Sequence, residues 1–207
     1  MNSKPYHHGD LRTAIIEKGI EVISENGVAA LSLRKLAAAC GVSEAAPYAH
    51  FANKKDLLGA IENHVSSKFA AVLKDSVKET GETLEGLVCL GGAFVMFFAR
   101  NRPYFDLIYS HLDIKAGGEH KYEPYDFIVG FMSKLFDSLD YPKDLRLKTF
   151  IAHLSFIQGL TLTALIDNDK DVDAMEERTR DMLSSNYLLF ADTVVTRPMP
   201  EGHEKGK

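Results

Sequence analysis

Residues 32–58 read SLRKLAAACGVSEAAPYAHFANKKDLL, and this stretch decides the fold. In its first half, apolar residues recur at i, i+3, i+4 and i+7 on one helical face: Leu33, Leu36, Ala37 and Cys40. Ser32 precedes that helix as an N-cap, and Gly41 ends it because glycine enters the left-handed region at little cost. Ser43 then caps a second helix. Two helices joined by so short a turn are typical of the helix-turn-helix unit, so the sequence predicts DNA binding.

The second helix of this unit is predicted over Ser43–Phe51, with its polar face turned towards DNA. The Glu44 carboxylate can accept a hydrogen bond from cytosine N4, and the Ala45 methyl group can pack on a thymine methyl group. These two residues are therefore the predicted base readers. Pro47 lies early enough in the helix to be tolerated, because the first turn lacks intrahelical donors in any case.

Two pairs of cations flank the unit. Arg34 and Lys35 lie in the first turn of one helix, and Lys54 and Lys55 follow Asn53, the predicted N-cap of the next. Cations at helix N-termini oppose the macrodipole, and a DNA phosphate lying there would remove that penalty. The alternative is that they are ordinary solvated side chains. The full set of predicted DNA contacts is Ser32, Arg34, Lys35, Ser43, Glu44, Ala45, Tyr48, Ala49, His50, Lys54 and Lys55.

These residues resemble the TetR family of bacterial helix-turn-helix transcriptional regulators. The matching motifs are Leu31-Ser32-Leu33-Arg34, Leu36-Ala37, Gly41-Val42-Ser43, Tyr48-Ala49-His50-Phe51, and a lysine before Leu57-Leu58. The resemblance covers about residues 10–60. It implies that Tyr48, His50, Lys54 and Lys55 hold phosphates. It also implies a three-helix DNA-binding domain over residues 1–56, a larger helical ligand-binding and dimerisation domain over 57–196, and a tail at 197–207 that we expect to be disordered.

Helical periodicity continues through the rest of the chain, which predicts an all-α fold. The predicted helices are Leu11–Asn26, a long one from Asn53 with no breaker before Gly81, Leu84–Arg100, Tyr104–Leu112, Tyr125–Leu139, Asp144–Ile166 and Asp173–Val195, with an exposed loop over Ile114–Glu123. A helix of ~22 residues after Asn53 would span ~33 Å, which is long enough to connect a distant domain to the DNA reader.

Charge distribution and composition indicate where the DNA-binding face lies and in which compartment the protein is found. The 207 residues carry a net charge of −5, but residues 1–57 balance at +1, so the acidic excess lies away from the proposed DNA face. No apolar run reaches ~18 residues and no signal peptide is visible, which predicts a cytoplasmic protein without a membrane segment. Cys40 and Cys89 are expected to be reduced and buried.

The second domain is expected to bind a small-molecule effector, because regulators of this kind enclose a cavity among these helices. The candidate ligand residues are Phe98, Tyr109, His111, Phe131, His153 and Gln158. Core packing is the alternative explanation for the aromatic residues. The histidines lack metal-ligand spacing and stand in no catalytic motif, so the sequence predicts no metal, no cofactor and no enzyme.

The last two long helices carry a wide apolar face, which is either internal core or a dimer seam. The resemblance points to a four-helix dimer interface and hence to a palindromic operator read by recognition helices about 34–36 Å apart. The sequence thus predicts a ligand-responsive homodimeric repressor. A helical interaction protein that does not use its helix-turn-helix on DNA is the alternative, and the weak +1 balance supports it.

Overall fold

The computed structural model describes residues 11–109, 123–167 and 171–195, apart from the side chains of Asp106, Tyr109 and residues 188–195. Every regular element in these ranges is helical. The α-helices are α1 (Leu11–Asn26), α2 (Leu33–Ala39), α3 (Lys54–Ser76), α4 (Leu84–Arg100), α5 (Arg102–Tyr109), α6 (Glu123–Ser138), α7 (Lys143–Ile166) and α8 (Val172–Val195), with 3₁₀ turns at Val28–Ala30 and Ala46–Ala49. The all-α prediction is confirmed.

The predicted helix bounds agree closely with these elements. The predicted Leu11–Asn26 and Leu84–Arg100 match α1 and α4, whereas α5 starts two residues before the predicted Tyr104. The predicted loop lies outside the described residues except for Glu123, which begins α6. The tail at 197–207 lies outside them as well.

The first three α-helices share one apolar core. Ile15 of α1, Leu36 of α2 and Leu57 of α3 are fully buried, together with Phe51 from the connection between α2 and α3. Gly41 has a φ of 70°, as its place after α2 predicts. Burial of this set fixes the three helices against one another and leaves the turn between α2 and α3 on the surface.

The predicted helix over Ser43–Phe51 is wrong. The segment turns and then forms a single 3₁₀ turn, Ala46–Ala49, held by bonds from Ala46 N to Ser43 O and from Tyr48 N to Ala45 O, at 3.0 and 3.1 Å. Pro47 is the reason, because it has no N–H to donate to the carbonyl four residues earlier and its ring clashes with that carbonyl. Ser43 is therefore not a helix N-cap.

The other two predicted caps stand at their helix starts, but they differ in hydrogen bonding. Asn53 accepts a bond from the Asp56 amide at 3.0 Å and so caps α3. Ser32 occupies the N-cap position of α2, but its side chain makes no capping bond. Cys40 and Cys89 are free thiols that are half-buried rather than fully buried, and burial raises the pKa of Cys40.

The long helix α3 joins this N-terminal core to the rest of the protein. One face is buried along its length, from Leu57 and Ile61 to Val65, Phe69 and Leu73. Its N-terminal half packs on α1, and its C-terminal half packs on α4 and α6. Phe69 stacks on Phe97 at a ring-centroid distance of 4.7 Å.

The helix α4 runs through the centre of the larger part and contacts both α7 and α8. At Gly91 the approach is close, since a Cβ there would lie 3.0 Å from Leu183 of α8 and 3.3 Å from Ile157 of α7. The three helices therefore meet where α4 has no side chain.

One face of α7 remains exposed and apolar. Leu147, Ile151, Leu162 and Ile166 are 68%, 53%, 48% and 74% exposed. Among the described helices, α7 is the one long and apolar enough to cross a bilayer, and 22% of its most apolar stretch is buried within the protein. Thr149, His153 and Thr161 on its opposite face are buried against the protein, so α7 packs as part of the bundle.

We expect Gly86→Ala to lower the free energy of unfolding by about 1–3 kcal/mol, because the new Cβ would lie 2.0 Å from the Gly81 carbonyl oxygen. Gly92→Ala on the same helix is the matched control. It has open space around the new methyl group and should stabilise the protein by up to about 1 kcal/mol. Urea denaturation measures both variants, and equal effects would contradict the close approach of Gly86 to Gly81.

Candidate functional site

All eleven predicted DNA contacts lie on accessible surface around α2, the following turn and the start of α3. Nine are exposed, and Ser32 and His50 are half-buried. Tyr48 is 55% exposed, so this large aromatic side chain contributes little to the core and is accessible to a partner. The structure therefore brings the sequence-predicted residues onto one surface.

Glu44, the predicted base reader, is paired within the protein. Arg34 donates from Nε to Glu44 Oε1 at 2.9 Å, which links the start of α2 to the turn that follows it. Both side chains are largely exposed, so the pair contributes less than about 1 kcal/mol and a base or a phosphate can displace either partner at little cost. Sequence reasoning missed this pair because the two residues are ten positions apart.

The two lysines at the start of α3 differ in their surroundings. Lys54 donates from Nζ to the Ala29 carbonyl oxygen at 3.1 Å, so it connects α3 to the turn after α1. Lys55 is exposed and has no hydrogen-bond or ion-pair partner among the residues that the structure describes. Of the two, Lys55 is therefore the one available to a phosphate.

The end of α3 that carries these lysines is held rigidly. Asn53 accepts from the Asp56 amide and so caps the helix, and Asp56 Oδ2 accepts from the amide of Ala52, the residue before the N-cap, at 2.9 Å. Arg12 of α1 lies over the Phe51 ring, 5.4 Å from its centroid. This cation adds to the positive charge near the unit, and sequence reasoning did not include it.

A cavity of about 330 Å³ lies among α4, α6, α7 and α8. Most of its lining is apolar, and none of the described residues that form it is charged: Leu84, Leu87, Met132, Leu135, Phe136, Leu139, Tyr141, Thr149, Ala152, His153, Phe156, Asn186 and Tyr187. Its size and apolar character are typical of a site for a small organic molecule.

The polar groups at the cavity are arranged in two pairs. Tyr187 OH lies 3.2 Å from His153 Nε2, and Tyr141 OH lies 2.8 Å from Thr149 Oγ1. Burial lowers the pKa of His153 to about 4 and raises the pKa of Tyr187 above its ordinary value. Both side chains are therefore neutral at neutral pH, and the cavity favours uncharged groups.

The sequence-predicted ligand residues fall in different places. Among those whose side chains the structure describes, His153 alone lines the cavity. Phe98 is fully buried among aromatic rings, Phe131 is buried in the core, and Gln158 is half-buried on α7 away from the lining. The Tyr109 side chain and all of His111 lie outside the described residues. Tyr141, Thr149 and Tyr187 were missed, because no local pattern indicates which residues of separate helices converge.

Comparison with known proteins identifies the helix-turn-helix region. The family model for bacterial regulatory proteins of the tetR family matches residues 15–61, which include most of α1, all of α2, the Pro47 turn and the start of α3. This part of the chain belongs to the TetR family. A fatty acid metabolism regulator protein of Bacillus subtilis is 32% identical over 73 residues, which are 35% of this chain and 38% of the relative. The match thus spans well under half of the length of that relative.

Solved structures resemble the chain over a much greater length. A protein of unknown function from Rhodococcus sp. RHA1 has a TM-score of 0.70 at 26% identity, covering 89% of this chain and 98% of that one. The transcriptional regulator FadR from Bacillus subtilis, in complex with stearoyl-CoA, has a TM-score of 0.61 at 20% identity, covering 84% and 97%. The second likeness shows the TetR-type fold beyond the helix-turn-helix.

We expect the stability of the protein to fall between pH 6.5 and about pH 4 because of His153. The unfolded chain binds a proton on this residue below pH 6.5, whereas the folded chain does so only near pH 4, so stability is lost as the pH falls through this window. The loss attributable to His153 is up to about 3 kcal/mol. Urea denaturation across this range should give a shallower pH dependence for His153→Gln than for the wild type.

The control for this experiment is Tyr187→Phe, which removes the hydrogen-bond partner and keeps the buried imidazole. It should retain the wild-type pH dependence. Burial also lowers the pKa of His64, which contributes to the pH dependence of the wild type. The contribution of His153 is therefore the difference in slope between the wild type and His153→Gln. A His153→Gln slope equal to that of the wild type would contradict the neutral buried imidazole.

Proposed function

We propose that the protein is a cytoplasmic, homodimeric transcriptional repressor that binds a palindromic operator and releases it when a small apolar effector occupies the internal cavity. The observation that carries the proposal is the exposure of the helix-turn-helix region, in which the cations Arg34, Lys35 and Lys55 and the side chains of Glu44 and Tyr48 are all accessible. Accessible cations on both sides of such a turn suit the phosphates on either side of a DNA groove. Membership of the TetR family supports the same conclusion.

The effector part of the proposal is supported by the chemistry of the cavity. An apolar lining with neutral hydrogen-bonding groups suits an acyl chain or a similar apolar molecule. The Bacillus subtilis FadR that shares this fold was solved in complex with stearoyl-CoA, which is consistent with an acyl effector. Leu84 and Leu87 of the cavity belong to the first turn of α4, directly after the corner that ends α3.

That connection supplies a route from the cavity to DNA. An effector that fits only one placement of the start of α4 favours one orientation of α3, and α3 carries Lys54 and Lys55 at its other end. The effector needs only to bind the released state more tightly than the DNA-bound state. An equal affinity for the two states would change nothing.

The dimer is supported by the exposed apolar face of α7. Leu147, Ile151, Leu162 and Ile166 form a stripe about five turns long, and a second copy of the same helix related by two-fold symmetry would cover it. Two-fold symmetry in the protein matches a palindromic operator. This face is the reason that α7 is long and apolar enough to cross a bilayer. In a cytoplasmic dimer the same face would be covered by the second subunit.

We expect the purified protein to retain specific duplexes from a random library, and Lys55→Ala to weaken binding to all of them. Because Lys55 is proposed to contact a phosphate, the salt dependence of binding should also decrease, by roughly one unit of slope per subunit. Glu44→Ala should instead change which sequences are retained. Gel shifts at several salt concentrations measure these effects, and Lys143→Ala on α7 is the exposed-lysine control.

The same experiment tests the alternative of a helical interaction module. The Arg34–Glu44 pair neutralises one of the predicted anchors, which is the structural observation that favours this alternative. Retention of no duplex above background would establish the alternative in place of DNA binding. An unchanged salt slope in Lys55→Ala would show that specific binding does not use that lysine.

We expect the double substitution Ile151→Gln and Leu162→Gln to convert the protein to a monomer, because it places two amides in the proposed apolar seam. Operator affinity should fall with it, since each subunit then binds one half-site alone. Val129→Gln on α6 is the control, because Val129 is exposed to a similar degree, 41%, and lies on another helix. Sedimentation velocity measures the mass, and a persistent dimer in the double variant would contradict the seam.

A further inference from the structure

An open groove of about 1000 Å³ runs along the surface between α3, α4 and α8. Its floor is apolar, formed by residues such as Val72, Val88 and Met96. Its rim is charged and mainly basic, with Lys68, Lys78, Arg100 and Arg180 against Asp75 and Glu176. This combination differs from the internal cavity, whose lining has no charged residue.

Two of the four cations are already neutralised within the protein. Lys78 pairs with Asp75, and Arg100 donates from Nη2 to Glu176 Oε2 at 2.6 Å. Lys68 of α3 and Arg180 of α8 are exposed and have no ion-pair partner in the part of the chain that the structure describes. The groove therefore has an uncompensated positive charge contributed by two different helices.

A recess between α4 and α8 lies between the groove and the cavity. It shares Leu84 and Tyr187 with the cavity, and it shares Val88, Cys89 and Arg180 with the groove. A molecule that leaves the cavity past Leu84 and Tyr187 thus enters a recess lined by one carboxylate, Glu85, and one guanidinium, Arg180. Beyond the recess lies the mainly basic groove.

We propose that the groove binds the phosphate-bearing head of an amphipathic effector whose apolar tail occupies the cavity. This inference rests on the proposed effector role of the cavity and adds the chemistry of the part that lies outside it. Guanidinium and ammonium groups are the side chains that bind phosphate, and Arg180 and Lys68 provide one of each. A free carboxylate at the inner end of the ligand is excluded by the neutral lining.

The location of the groove connects the head group to α3. Lys68 belongs to the helix that carries the DNA-facing lysines, and Arg180 belongs to α8. A head group that spans the groove and contacts both side chains would tie the two helices together and so restrict the orientation of α3. The head group therefore contributes to release of DNA as well as to affinity.

The probes for the test follow from the size of the cavity. At about 30 Å³ per non-hydrogen atom, 330 Å³ holds about eleven such atoms, which matches decanol. Decyl phosphate adds a simple phosphate to the same chain, and decanoyl-CoA adds a nucleotide head. Coenzyme A without a chain tests the groove alone.

The measurement is calorimetric titration of each probe into the full chain. We expect decyl phosphate to bind at least about tenfold more tightly than decanol, and this advantage to shrink in about 0.5 M salt because exposed charges are screened. The double variant Lys68→Gln and Arg180→Gln should lose the advantage while its affinity for decanol is unchanged. Lys143→Gln, an exposed lysine on α7, should behave as the wild type. The relative affinities of decyl phosphate and decanoyl-CoA then distinguish a phosphate site from a nucleotide site.

The outcomes separate this inference from the function on which it rests. Equal affinity of the wild type for decanol and decyl phosphate would overturn the groove and leave the cavity in place. Retention of the phosphate advantage by the double variant would overturn it too. A double variant whose mass changes while its affinity for decyl phosphate does not would show that the groove is a subunit contact. Failure of every probe to bind would overturn cavity and groove together, whereas phosphate-dependent binding without release of DNA would support the groove and contradict the proposed regulation.

Discussion

The buried face of α3 is the constraint on which the rest of the structure depends. Leu57 and Ile61 fix its first half in the N-terminal core, and Val65, Phe69 and Leu73 fix its second half against α4 and α6. Each of these side chains is at most 2% exposed, so the helix cannot rotate about its axis without exposing apolar surface at both ends. A change of orientation that keeps them buried has to move the whole helix, including the end that presents Lys55.

The order of the helices was predictable because its signals are local. Apolar periodicity, Asn53 as an N-cap and glycines after helix ends each act within a few residues, and α1 and α4 have the predicted bounds. The prediction of a recognition helix over Ser43–Phe51 is wrong for a reason that is also local. Pro47 cannot donate to the carbonyl oxygen four residues earlier and its ring clashes with that carbonyl, so the segment forms a 3₁₀ turn in place of the predicted α-helix.

The two candidate sites differ in how far the sequence predicts them. The predicted DNA contacts follow one another between Ser32 and Lys55, so their common accessibility follows from one motif. The pairing of Arg34 with Glu44 depends on how the turn folds back on α2, which no spacing indicates. The lining of the cavity is harder to predict from the sequence. His153, Tyr141 and Leu84 come from separate parts of the chain and meet only because the helices pack together.

In the proposed regulation, the corner between α3 and α4 transmits a displacement of the first turn of α4 to α3. Thr83 caps α4 by accepting from the Gly86 amide at 3.0 Å, and the Gly81 carbonyl packs where Gly86 has no side chain. The corner is therefore too tight to absorb a displacement of the first turn of α4 by local bending. In the regulation that we propose, a ligand that presses on Leu84 from within the cavity would move this corner as a unit. The displacement would then pass into α3, whose continuous buried face extends to the helix-turn-helix.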